Sequence, residues 1–143
     1  MPTYYVNEAS FELAEVPVVD RTVNVLELGG GAVPGLGLMV ARTALPVGRS
    51  LREVVTAHVE HERRSLRGWS LIFERDGEVL GRPMIELGTR WKGDHGMVYQ
   101  RQAHIGLSES VLLLVGNGPL EERAACDEHV ERALATLQLR DGG

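Results

Sequence analysis

Cysteine is nearly missing from this chain. Cys126 is the single one among 143 residues, so no intrachain disulfide can form, and that usage fits a reducing compartment. An excess of basic residues is missing too. The formal net charge of −5 leaves no basic footprint for nucleic acid, and there is no polybasic block for anionic lipid. Long apolar runs are absent: VLLLV at residues 111–115 is far too short to span a bilayer. The start, MPTYYVNEASFELAE, lacks a basic stretch followed by an apolar one, so no secretory signal is read. Aromatic residues make up only 5% of the chain, and its two tryptophans, Trp69 and Trp91, are read as core or interface anchors. What is present is ordinary for a soluble globular protein, with 43% hydrophobic and 24% charged residues. The length fits one domain, residues 1–143, with a real core.

The segment SLREVVTAHVEHERRSL, residues 50–66, predicts a helix. Ser50 is a good N-cap, and Glu53 completes a capping-box pattern. Leu51, Val54, Val55, Val59 and Leu66 fall on one side at helical spacing. His58 and Glu62 project within roughly 20° of Leu51, in the middle of that apolar side. Burying two ionisable groups without partners is costly. Either they hydrogen-bond inside the core, or this face lines a recess that something else fills.

Short strands are expected at residues 4–6 and 10–13, and longer ones at 19–28 and 36–43, joined by the glycine-rich loop 29–35. After the helix, which should end near Arg67-Gly68, residues 69–75 read as a strand. Asp76-Gly77 then reads as a hairpin turn. Residues 78–91 follow as one bent or two short strands, interrupted at Gly81-Arg82-Pro83. Residues 92–96 form a tight connection, and residues 97–107 and 111–116 are the last strands. Asn117-Gly118-Pro119 opens a second helix, whose Cys126, Val130, Ala133, Leu134 and Leu137 face inward. Strands, a helix, hairpin-linked strands and a helix predict an α+β domain: an antiparallel sheet with two main helices packed on it.

Candidate chemistry is thin. In HVEHE, residues 58–62, His58 and Glu62 share a face while His61 turns away by roughly 60°. The order matches neither zinc-protease helix pattern, so a structural or groove-lining role is preferred to a metal site. Cys126 reads as a core thiol. Gly29 to Gly31 lack a following G-K-[ST], so a hairpin loop is preferred to a phosphate cradle. No residue is assigned a catalytic role, and no cofactor is expected. One pattern remains. Val23 and Val25 share one face of their strand, and Gly37, Met39 and Ala41, all small or pliable, share a face of the next. A sheet face of that kind admits close approach by an apolar segment, although the same residues could equally pack under the first helix.

The segments YYVNEASFELAE, DRTVNVLEL, LMVARTALPVGRSL, SLRGWSL, TRW at residues 89–91, YQRQAHI at 99–105 and the ending ALATLQLR occur in an order that resembles the effector-associated (Eag) chaperones of type VI secretion, within the larger DcrB/PsbP-like group. The resemblance implies a PsbP-like fold and a cytoplasmic homodimer. It also implies a function: holding the N-terminal transmembrane helices of a secreted effector in solution before loading on the secretion spike. By position, Val23, Val25 and Met39 match apolar residues of the binding surface in that family. Gly37 and Ala41 fall where serine can stand, His58 where a glutamine can stand, and Gln102 matches a second polar contact. Gly37 and Ala41 lack side-chain donors, which shifts the expected grip toward close packing. Two other readings remain open: an envelope-associated protein of the DcrB/PsbP-like group, and a small metal-binding enzyme using His58 and Glu62.

Overall fold

The capping box forms as expected. The Ser50 hydroxyl accepts from the Glu53 backbone N–H at 3.1 Å, and the Glu53 carboxylate accepts from the Ser50 N–H at 3.2 Å. It starts α1, Leu51–Ser65, which ends where the Leu66 N–H donates to the Glu62 carbonyl. This is a computed structural model, and it describes residues 3–5, 10–12, 24–27 and 36–139. The glycine-rich loop 29–35, Val23 and residues 140–143 lie outside the described residues.

Strands β1 (Thr3–Tyr5) and β2 (Ser10–Glu12) pair with each other. The main sheet holds β3 (Asn24–Glu27), β4 (Gly37–Ala44), β5 (Ser70–Val79), β6 (Arg82–Gly93), β7 (Gly96–Gly106) and β8 (Ser110–Pro119). Their order across the sheet is β3-β4-β8-β7-β6-β5, antiparallel throughout. A 3₁₀ turn, Leu120–Glu122, leads into α2, Arg123–Ala135. The α+β class, with two helices on an antiparallel sheet, is the expected one.

The helices lie on opposite faces, so the middle strands are covered twice. Met84 to Thr89 of β6 and Arg101 to Gly106 of β7 are buried without interruption. Alternate residues of each run serve different helices. Ile85 and Leu87 pack under Leu51 and Val55 of α1, together with Val111 of β8. On the other face Met84, Ala103, Ile105 and Leu114 meet Val130 of α2, with Ala133, Leu134 and Leu137 half-buried beside them. Gly116 lets α2 come close: a Cβ there would lie 2.5 Å from Val130 Cγ2 and 2.9 Å from Cys126 Sγ. Cys126 is a core thiol, as expected, and burial pushes it up to about 11. Also under α2, the buried Arg101 guanidinium binds Glu86 of β6 (Nε–Oε2 2.9 Å) and Asp127 of α2 (3.2 Å), with Glu131 at 3.4 Å. Burial alone would lower the pKa of Arg101, but these carboxylates overcome it and hold the group charged.

Two turn assignments need correction. Asp76-Gly77 is no turn; both residues pair within β5, against Ile85 and Met84. The chain reverses at Leu80-Gly81, where φ is 51° and 74°, the positive pair that a tight two-residue hairpin demands. The later turn lengthens the β5–β6 ladder and sets Arg75 opposite Glu86, with which it forms an ion pair at 3.4 Å. The nine pairs of the β5–β6 ladder outweigh the local preference of Asp-Gly. Likewise, Asn117-Gly118-Pro119 completes β8, and α2 begins only after the 3₁₀ turn.

Candidate functional site

The α1 face of the sheet is best followed as rows across the strands, because register fixes which side chains are neighbours. One row runs Ile85, His104, Leu113, Ala41. The next runs Leu87, Gln102, Val115, Met39, Val25. The third runs Thr89, Gln100, Asn117, Gly37. Helix α1 packs on β6 and β7, the half of each row that carries Ile85, Leu87, Gln102 and His104. The register puts Val25, Gly37, Met39 and Ala41 at the other half. Gly37, Met39 and Ala41 are half-buried, while Leu113 and Val115 beside them are 8% and 1% exposed.

Beneath α1 the polar residues form a closed network. The His58 ring reaches Glu62 at 2.7 Å and the Gln102 carbonyl oxygen at 3.1 Å, both through Nε2. Gln102 donates from Nε2 to Glu62 Oε1 at 2.7 Å and to Gln100 Oε1 at 2.9 Å. His104 donates from Nε2 to Gln102 Oε1 at 2.9 Å, and its ring lies 5.0 Å from that of His58. Gln100 in turn donates to Asn117 Oδ1 at 3.2 Å. The amide of Gln102 therefore uses both its acceptor and both its donor positions. Of the two arrangements open from sequence for His58 and Glu62, this is bonding within the core.

The electrostatics follow from the geometry. Burial pushes the Glu62 carboxyl up, but the hydrogen bonds from His58 and Gln102 more than offset this and hold it below the usual carboxylate range. His104 is driven down to about 3, first by burial and then by the proximity of His58. It is therefore neutral, with its proton on Nε2. His58 has Nε2–H directed at the Glu62 carboxylate. That ring is partly open, as are Gln100 and Asn117, its side chain 32% exposed against 10% for Glu62.

His58 and Gln102 are thus brought together, and Gly37, Met39 and Ala41 share their sheet face. The register assigns Val25 to that face as well, whereas Val23 lies outside the described residues. His104 and Gln100 went unnoticed in the sequence. The signal was there: Gln100, Gln102 and His104 alternate along β7, an unusual polar stripe on a strand buried on both faces. Among the described residues no three His, Cys, Asp or Glu side chains converge as a metal site requires, and no helix is long and apolar enough to cross a membrane.

The family model described as DcrB matches residues 8–136. The chain belongs to the DcrB family. No curated protein matches it. Among solved structures, this DcrB-family chain is similar to PA94 of Pseudomonas aeruginosa, a protein of unknown function, with 20% identity, a TM-score of 0.79, and 97% of this chain and 96% of that one covered. It also resembles Mycobacterium tuberculosis LpqN, a protein involved in cell envelope biogenesis (14% identity, TM-score 0.58, 85% and 80% covered). A third likeness is to the cyanobacterial PsbP of Synechocystis (11% identity, TM-score 0.53, 80% and 79% covered). At these identities the likeness is one of fold, and that fold is PsbP-like. Chemically, this DcrB-family site offers an apolar sheet face bordered by a hydrogen-bonded polar cluster, with the part-exposed His58 imidazole in it.

Proposed function

We propose that this DcrB-family protein is a non-enzymatic chaperone that binds the N-terminal transmembrane helices of a type VI secretion effector and shields them until loading on the secretion spike. The observation that carries this reading is the register that gathers Val25, Gly37, Met39 and Ala41 on the sheet face, to the side of α1. Gly37 and Ala41 keep that surface low, and Met39 adapts to varied partners. A transmembrane helix arrives with its own backbone bonds satisfied, so apolar contact supplies most of the affinity. A polar contact then sets the register. Gln102 has no bonding capacity left; its part is to hold the His58 ring. The part-exposed His58 ring supplies that contact, to a polar group on the incoming helix. The working form is a cytoplasmic homodimer, as the resemblance implies.

The test is co-purification with a hydrophobic N-terminal segment encoded by a neighbouring effector gene. Val25→Asp and Met39→Asp should abolish recovery while the thermal transition stays cooperative. Unchanged recovery with folded variants would refute the groove. A protein found attached to the cell envelope, with no cargo captured, would favour the envelope role suggested by the likeness to LpqN.

A further inference from the structure

Along β8 the residues on the α1 face change character. Val111, Leu113 and Val115 are apolar; Asn117 and Pro119 follow in the same alternation. Beside that polar end is a cavity of about 370 Å³, lined among others by Asp94, His95, Met97, Val98, Asn117 and Pro119. Val98 pairs with Pro119, one row beyond the row of Gln100, Asn117 and Gly37. The cavity therefore continues the same face past its apolar part. Its walls are aliphatic, from Met97, Val98 and Pro119. Its rim is the two-residue tip of the β6–β7 hairpin, Asp94 and His95, which Gly93 and Gly96 close. Lys92 and Met97 are register partners at the alternate positions, so Met97 lines the cavity from the hairpin's other face.

Aliphatic walls with the Asp94 carboxylate at the rim suit a side chain with an alkyl stem ending in a cation. We infer that the cavity receives a lysine or arginine flanking the apolar helix held on the sheet, its stem against Met97, Val98 and Pro119 and its charge near Asp94. This rests on the reading of that face as a seat for a transmembrane segment, because such segments carry Lys and Arg at their flanks. The dimensions agree. From Leu113 to Pro119 is three two-residue steps, about 20 Å along the strand, which about 13 residues of helix cover. A helix lying along β4 and β8, its apolar part against the half-buried Ala41 and Met39 in the rows of Leu113 and Val115, thus reaches the cavity at its flank. The site gives the cargo a direction, with its basic flank toward the β6–β7 tip.

The probe is a soluble carrier protein bearing an apolar helix of about 20 residues, with lysine, serine or glutamate flanks. The wild-type chain should bind the lysine-flanked helix most tightly. Asp94→Lys should weaken that binding about fivefold, in line with a partly exposed ion pair, and should leave the serine-flanked helix unaffected. The same variant should improve binding of the glutamate-flanked helix, and added salt should shrink all these differences. Equal affinity for the three flanks, or an equal loss with Asp94→Lys whatever the flank, would overturn the cavity assignment while leaving the apolar seat standing. Failure to bind any of the three helices would overturn both.

Discussion

Acidification should destabilise this protein through His104 well before its carboxylates respond. In the unfolded chain that imidazole titrates near 6.5; in the fold it is driven down to about 3. Between those values the unfolded chain takes up a proton that the folded chain refuses, so stability falls as pH drops. Going from pH 7.5 to pH 5, the difference amounts to about 2 kcal/mol. Glu62 does not confuse this window. Its folded pKa lies below 4.5, so its stabilisation is intact above that value and is lost only as pH falls further. The assay is urea unfolding followed by the fluorescence of Trp69 and Trp91. With a slope of about 2 kcal/mol per molar urea, the midpoint should drop by about 1 M over this range. His104→Gln keeps a donor for Gln102 but cannot be protonated, so its midpoint should change far less. If that variant follows the wild-type pH curve, or if NMR shows His104 of the folded protein titrating near 6, the reasoning fails.

Other consequences are accessible to stability measurements. Leu80 adopts a left-handed backbone conformation and is 57% exposed, so Leu80→Gly or Leu80→Asn should stabilise by about 1 kcal/mol, visible as a Tm rise of a few degrees. Arg101→Met should cost about 3–5 kcal/mol in urea unfolding, because it leaves the buried Glu86 carboxylate without its main partner; Arg101→Met combined with Glu86→Leu should recover much of that loss. Gly116→Ala should destabilise by about 1–3 kcal/mol through the clash with Val130 and Cys126, and adding Val130→Ala should cost less than the sum of the two single effects. Cys126 is 1% exposed with its thiol held protonated, so alkylation should proceed only on unfolding.

Local signals gave the helices. Ser50 and Glu53 name their own hydrogen bonds, and Cys126, Val130, Ala133 and Leu134 announce the face that α2 buries, although the helix ends at Ala135 and Leu137 packs from beyond it. The oddity of His58 and Glu62 in an apolar stripe was also visible, and it led to the polar cluster. Their partners are another matter. Gln102 lies 40 residues beyond Glu62 in the chain, and only strand register places it beneath the helix. No local pattern relates the two. The Asp76-Gly77 error has the same origin: a local turn preference competes with a long ladder that a short window does not contain. The α1 face of β4 was half legible. Alternation grouped Gly37, Met39 and Ala41 correctly, but which helix would cover them, or fail to, depends on the order of strands.

That order has its own effect on how the protein comes into being. β5 to β8 form a meander joined by short turns, which can assemble by itself from neighbour to neighbour. β4, made earlier in the chain, has to wait for β8, since the two meet only after everything between Ala44 and Ser110 has been looped out. The rows that bear Met39 and Ala41 are therefore the late product of folding, and the first to separate when β4 lets go of β8. A mutation that loosens this one ladder can silence the protein while most of its sheet still reports as native.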